Sequence, residues 1–217
     1  MNIGIICPSE IALRRFMPAL QNIPELTFAG IGVASAEEWF GDDVPSQKIV
    51  EETLKGQREK AQEFITQYGG IIYDSYESLV TASNMDAVYL PLPPALHYKW
   101  AKKALEAGKH VLVEKPSTVS AQDTVDLAAL AEEKGLALHE NYMFAFHKQL
   151  EAIQETVAAG EIGEARLYRV SFGFPRRAAS DFRYNKELGG GALIDAGGYT
   201  LKYASMLLGT GAKVRYA

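Results

Sequence analysis

Short, uninterrupted apolar runs alternate with amphipathic stretches through the first two-thirds of the chain. A strand buried on both faces reads as such a run, whereas a helix lying on a sheet shows one apolar stripe. Residues 3–6 predict a first strand, and residues 11–21 a helix with Pro18 near its end. Residues 26–33 predict a second strand. Residues 36–56 are acidic and contain Gly41-Asp42-Asp43-Val44-Pro45, which predicts an irregular insertion before a helix over residues 57–68, stopped by Gly69-Gly70. Strand patterns follow at residues 71–73, 87–90, 110–113 and 136–138, with helices over 76–82, 96–107 and 118–134 between them. Ser120 and Gly135 are in place to cap the last of these helices. Pro91-Leu92-Pro93-Pro94 forbids further ladder pairing after the fourth strand. Strict alternation of strand and helix predicts a doubly wound parallel sheet covered on both faces.

Near His139 the rhythm changes. A helical pattern over residues 149–159 is followed by a long alternating run at 165–174, better suited to an antiparallel sheet. The expected α/β organisation is therefore a parallel domain over residues 1–138 and the first part of an α+β domain, with a mostly antiparallel sheet, over 139–217.

Composition narrows the functional classes. The 217 residues are 47% hydrophobic and 23% charged, enough apolar material for a substantial core. A formal net charge of −5, with dispersed lysines and arginines, offers no face for nucleic acid. The single cysteine, Cys7, excludes an internal disulfide framework, and no apolar run reaches the ~18 residues that cross a bilayer. No histidine, cysteine and carboxylate grouping has metal-site spacing, so no metal is expected. A cytoplasmic protein is expected.

Candidate chemistry begins at Glu114-Lys115-Pro116, directly after the apolar run at 110–113. Ligands of open α/β sheets bind at the carboxyl ends of the strands, and a lysine delivered there can hydrogen-bond or protonate a substrate oxygen. The tripeptide alone reads more simply as an exposed Glu-Lys pair at a strand end. A dinucleotide site would also need small residues after the first strand, where backbone amides approach a pyrophosphate. The glycines of that motif are missing: Cys7, Ser9 and Ala12 occupy the three positions, with Pro8, Glu10 and Ile11 between them. Small side chains still permit close approach, but Pro8 removes one amide and Glu10 adds negative charge.

Four segments in order, the stretch from Ile11 to Leu20, Tyr89-Leu90-Pro91-Leu92-Pro93, Glu114-Lys115-Pro116 and Gly189-Gly190-Gly191-Ala192-Leu193-Ile194-Asp195, resemble the Gfo/Idh/MocA superfamily of glucose-fructose oxidoreductase and inositol dehydrogenase. The resemblance covers essentially the whole chain. It implies a Rossmann domain binding NAD or NADP, a C-terminal domain with a large antiparallel sheet, and a sugar, cyclitol or nucleotide-linked sugar as substrate. It also implies homo-oligomers formed through that sheet. Members usually exceed three hundred residues, so the resemblance implies a C-terminally truncated chain.

Carried across position by position, the resemblance makes Lys115 the first catalytic candidate. Many members have a histidine four residues after the aspartate, but here Asp195-Ala196-Gly197-Gly198-Tyr199 places a tyrosine there. That variant, with Glu140-Asn141-Tyr142 and Phe182-Arg183-Tyr184, resembles the glucose-fructose oxidoreductase, dihydrodiol dehydrogenase and sugar 3-ketoreductase branches. Reduction of a ketone leaves a developing alkoxide; Tyr199 would donate the proton while the Lys115 cation lowers its pKa from about 10. Asp195 would orient Lys115 or the substrate hydroxyls, and Asn141, Tyr142 and Arg183 would contact substrate. The bland alternatives are a core tyrosine at Tyr199 and a dipole-stabilised carboxylate at Asp195.

Pro91, Leu92 and Pro93 are expected against the cofactor, with His97 and Trp100 on the next helix and Glu114 beside them. A buried tryptophan is the competing reading for Trp100. The second strand ends without the acidic residue that binds the ribose hydroxyls of NAD. Ser35 and Arg58 favour NADP, while Glu37 and Glu38 would argue for NAD if they fold inward. A non-catalytic binding or regulatory protein that keeps the fold is the alternative, favoured by the missing glycines.

Overall fold

The computed structural model describes residues 1–209 and 211–216. Six strands form one sheet: β1 (Asn2–Ile5), β2 (Thr27–Gly32), β3 (Ile71–Tyr73), β4 (Ala87–Leu90), β5 (His110–Glu114) and β6 (Leu138–Asn141). Their spatial order is β3-β2-β1-β4-β5-β6, and β1 pairs in parallel with both β2 and β4. β2 with β3 and β4 with β5 are parallel as well. The order reverses at β1, which places a crevice outside the carboxyl ends of β1 and β4.

Alternate residues of the strands supply two separate cores. Val88 and Leu90 of β4 point to one face, where Tyr76, Leu79, Trp100, Leu105 and Leu127 cover them. Ala87 and Tyr89 point to the other, with Ile3, Ile5, Met17, Phe28 and Phe64. Trp100 packs edge-on against Tyr76 with ring centroids 5.3 Å apart. The covering helices are α1 (Met17–Leu20), α2 (Ala36–Phe40), α3 (Gln47–Tyr68), α4 (Tyr76–Val80), α5 (Pro94–Glu106) and α6 (Ala121–Lys134). A π turn at Ala12–Phe16 runs straight into α1.

Two elements of the parallel domain differ from the sequence expectation. The segment expected as an insertion folds as α2 and the first half of α3, which runs unbroken for 22 residues. Gly56 lies within it and faces open space, and a helix-interior glycine costs only about 1 kcal/mol relative to alanine. That is less than α3 gains by burying Ala61 and Phe64. β6 begins at Leu138 rather than Leu136, because the Leu136 amide is used in the α6 cap, donating to the Ala131 carbonyl at 2.9 Å.

The chain divides into two compact units, Met1–Glu140 and the residues from Asn141 onward. The second contains α7 (Lys148–Ala158), whose N-cap is His147, and α8 (Gly198–Leu208), preceded by a π turn at Leu193–Gly197. Residues 165–174, expected as an antiparallel strand, have no regular structure, and no second sheet forms among the described residues. An alternating run specifies which face is apolar, but a strand also needs a neighbour to take its backbone hydrogen bonds. No helix among the described residues is long and apolar enough to cross a membrane.

Candidate active site

In the first unit, four loops leave the carboxyl edge of the sheet, after β1, β2, β4 and β5, and each carries residues named in the sequence reading. After β1 the chain turns through Cys7-Pro8-Ser9 into a helix. Ser9 caps that helix: its Oγ accepts from the Ala12 amide at 3.2 Å and its carbonyl from the Leu13 amide at 3.1 Å. The amides of Glu10 and Ile11 belong to the first turn, which a helix cannot satisfy internally, so they remain available to an anion. Glu10 forms an exposed pair with Arg14 at 2.7 Å, which offsets its charge at this terminus. Ala12 is fully buried, so the third small position serves close packing of helix on sheet. Burial pushes the Cys7 thiol above its usual pKa, although the Tyr76 hydroxyl it meets and the charge of Lys60 pull the other way. The turn therefore fits a dinucleotide phosphate without its glycines.

At the end of β2, Ser35 caps α2 by accepting from the Glu38 amide at 3.2 Å. The Glu38 carboxylate accepts from three backbone amides: Ser35 and Tyr76 at 2.9 Å each and Glu77 at 3.0 Å. It joins the starts of α2 and α4 and is used structurally, while Glu37 is exposed. Gln57 Oε1 accepts from the Ala34 amide at 3.1 Å, which brings the neighbouring Arg58 to the same strand end as Ser35. Arg58 pairs there with Asp74 on an exposed surface.

Leu92, in the turn after β4, is buried. Glu114 closes β5, and its Oε1 accepts from the Tyr89 hydroxyl of β4 at 2.6 Å. Lys115 follows half-buried, and the Lys115–Pro116 bond is cis. The next amide, that of Ser117, donates to Glu140 Oε1 at 2.8 Å, tying this loop to β6. His97 and Trp100, expected to face the cofactor, are side chains of the interior, 0% and 2% exposed. They lie on the sheet-facing side of α5, where burying an imidazole and an indole brings them to the core. His97 has Nδ1 2.7 Å from the Pro116 carbonyl oxygen and Nε2 2.8 Å from that of Leu92.

The second unit holds Arg183, Asp195, Tyr199 and Tyr142, with Asn141 at its first position. Gly190 and Gly191 fold back onto the short turn Phe182–Tyr184, their amides donating to the carbonyls of Asn185 and Arg183 at 2.9 Å. A Cβ at Gly190 would stand 2.6 Å from three carbonyl oxygens, so only glycine fits. This folding brings Arg183 Nε within 2.9 Å of Oδ2 of the buried Asp195. Arg183 also pairs with Asp181 at 3.2 Å. Partial burial would raise the Asp181 carboxyl, but hydrogen bonds and charge from Arg183, with Arg177 beyond, hold it below its usual pKa.

Tyr199 stacks on Phe172 at 4.2 Å and meets Tyr142 edge-on at 5.5 Å. The Tyr142 hydroxyl lies against Gly198 so closely that a side chain there would displace it. A cavity of about 700 Å³ opens beside this cluster, lined by Phe172, Phe174, Arg183, Tyr184, Lys186 and Asp195. Lys115 belongs to the first unit, Asp195 and Tyr199 to the second. Among the described residues no group of histidine, cysteine and carboxylate side chains could hold a metal ion.

Tyr89, Glu140 and Gln57 have contacts at these loops that sequence reasoning did not assign. Tyr89 and Glu140 fall within motifs of the resemblance but have no role assigned there; Gln57 carries no signal beyond helix periodicity.

The profile of the family described as "Oxidoreductase family, NAD-binding Rossmann fold" (GFO/IDH/MocA) matches residues 26–142, and that of the GFO/IDH/MocA C-terminal domain matches residues 150–217. The chain belongs to this family. Among its GFO/IDH/MocA relatives, dTDP-3,4-didehydro-2,6-dideoxy-alpha-D-glucose 3-reductase of Streptomyces violaceoruber is 40% identical over 217 residues, 100% of this chain and 57% of that enzyme. D-xylose 1-dehydrogenase (NADP(+)) 2 of Haloferax volcanii is 40% identical over 139 residues, 64% of this chain and 42% of that protein. The crystal structure of KijD10, a 3-ketoreductase from Actinomadura kijaniata in complex with NADP and TDP-benzene, superposes with a TM-score of 0.82 at 36% identity, covering 96% of this chain and 57% of that one. The chain thus spans about half the length of the curated relatives it matches.

Proposed function

We propose that this chain forms the cofactor domain and the beginning of the substrate domain of an NADP-dependent ketoreductase acting on a nucleotide-linked sugar. The observation that carries the reading is the placement of Lys115 at the carboxyl end of β5, on the same sheet edge as the Ser9-capped helix terminus. When bound, the reduced nicotinamide supplies the hydride for the carbonyl carbon. The chain's own part is to hold the carbonyl oxygen and manage its proton. The Lys115 ammonium stabilises the developing alkoxide, and Tyr199 donates the proton that completes the hydroxyl. Arg183 fixes the Asp195 carboxylate, so Asp195 orients substrate hydroxyls from a defined position. Asn141 and Tyr142 complete the substrate contacts.

NADP is the favoured cofactor because Glu38 is committed to three amides and cannot serve the ribose, while Arg58 stands at the same strand end as Ser35. The aromatic and basic lining of the cavity suits a base and a diphosphate: Phe172, Phe174 and Tyr184 offer stacking faces, and Arg183 and Lys186 offer positive charge. NADP and TDP-benzene in KijD10, and the reductase name of the Streptomyces relative, support the same assignment. In this reading the enzyme is cytoplasmic and forms a homo-oligomer through its substrate domain.

The test is reduction of a dTDP-linked 3-keto sugar, followed by loss of NADPH absorbance, with NADPH and NADH titrated separately by fluorescence. Lys115→Met and Tyr199→Phe should each lower kcat by about 10²–10⁴-fold while NADPH still binds. Wild-type turnover in both variants would end the acid-base assignment.

A further inference from the structure

His97 lies in the interior, yet both of its ring nitrogens reach loops that serve the proposed cofactor site. Nδ1 is 2.7 Å from the carbonyl oxygen of Pro116, the residue directly after Lys115. Nε2 is 2.8 Å from the carbonyl oxygen of Leu92, in the turn after β4. One rigid five-membered ring therefore spans two backbone segments from neighbouring strands. The side chain is 0% exposed, so water cannot replace either contact. We propose that His97 is a positioning residue for Lys115, setting the placement of the Lys115-Pro116 backbone relative to the turn after β4. This rests on the assignment of Lys115 to the proton chemistry above.

The chemistry of the ring supports the role. Carbonyl oxygens only accept, so two simultaneous hydrogen bonds need a proton on each nitrogen, whereas a neutral ring can donate only one. Burial, the largest influence, holds the His97 pKa below its usual value, with the Lys115 charge acting in the same direction and the two carbonyls opposing it, so the neutral ring donates to one carbonyl at a time. A side chain that merely filled the core would need neither nitrogen. Leucine would fill the volume, but it would bring no donor to either carbonyl. Displacement of a catalytic group by about 1 Å can cost a hundredfold in rate, so the contribution is expected in kcat rather than in cofactor affinity.

A double-mutant cycle on the enzyme tests this, using His97→Gln, Lys115→Met and their combination, with kcat for ketone reduction and the NADPH dissociation constant as readouts. His97→Gln keeps an amide donor but not the rigid ring that reaches both loops. It should lower kcat at least tenfold, change NADPH affinity less than threefold, and cost nothing further in the Lys115→Met background. An equal loss in both backgrounds would show that His97 does not act through Lys115 and would overturn the proposal, as would full kcat in His97→Gln. Wild-type kcat in Lys115→Met alone would instead remove the premise, a separate and recognisable failure. If His97→Gln does not fold, ¹⁵N resonances of the wild-type imidazole provide the second measurement. They should move when NADP is added, and their indifference to the cofactor would also overturn the proposal.

Discussion

Replacing Tyr89 by phenylalanine removes one oxygen from the best-defined contact at the Lys115 loop. The hydroxyl donates to Glu114 Oε1 at 2.6 Å from a side chain only 1% exposed. The ring keeps its packing, stacked on Phe16 at 4.1 Å, so almost no cavity opens and the loss is that of the hydrogen bond. Hydrogen bonds to charged groups contribute about 1.5–3 kcal/mol net. For a chain of this length each kcal/mol corresponds to about 2–4 °C, so Tm should fall by about 3–12 °C. Urea unfolding followed by fluorescence would measure the free energy. Glu114→Gln and the double variant complete the comparison, with a coupling of at least about 1 kcal/mol expected between the two positions. A change below about 0.5 kcal/mol in Tyr89→Phe, or strict additivity in the double variant, would refute the view that this bond anchors the end of β5.

Two further outcomes concern the second unit. Gly190→Ala should destabilise it by about 1–3 kcal/mol, because the obstructing carbonyl oxygens are backbone and cannot swing aside; limited proteolysis across residues 180–200 would detect the loosened turn, and wild-type resistance would contradict the packing. The lowered Asp181 pKa makes a pH statement: its stabilisation is fully present above the unfolded carboxylate value of about 3.9 and disappears as pH falls through the lower folded value. Tm measured between pH 5 and about 2 should therefore fall less steeply in Asp181→Asn than in the wild type, and superimposable curves would dismiss the pairing with Arg183.

The parallel sheet is readable because strands covered on both faces tolerate few polar positions, and residues 3–6 and 87–90 are apolar apart from the Tyr89 hydroxyl. α3 was misjudged at its first half. Pro45 and Gly56 look like breakers, but Pro45 precedes the N-cap at Ser46 and Gly56 points into open space. Residues 165–174 show the opposite failure: the alternation is present in the sequence, but pairing depends on which backbone lies alongside. At the site, the place of Lys115 follows from strand length and the break at Pro116. The partnership of Arg183 with Asp195 does not, because it depends on a glycine turn folding back over twelve residues of separation. His97 and Trp100 were drawn toward the cofactor by their position after the proline turn, whereas the orientation of α5 turns them inward.

The commitment of Glu38 to amides at two helix starts bears on any attempt to redesign coenzyme choice. Installing or removing acid at that position would disturb the junction of α2 with α4 before it altered selectivity. On the proposed NADP reading, a change of preference to the unphosphorylated dinucleotide is better sought at Ala36 or Arg58, side chains on which that junction does not depend, with Glu38 kept.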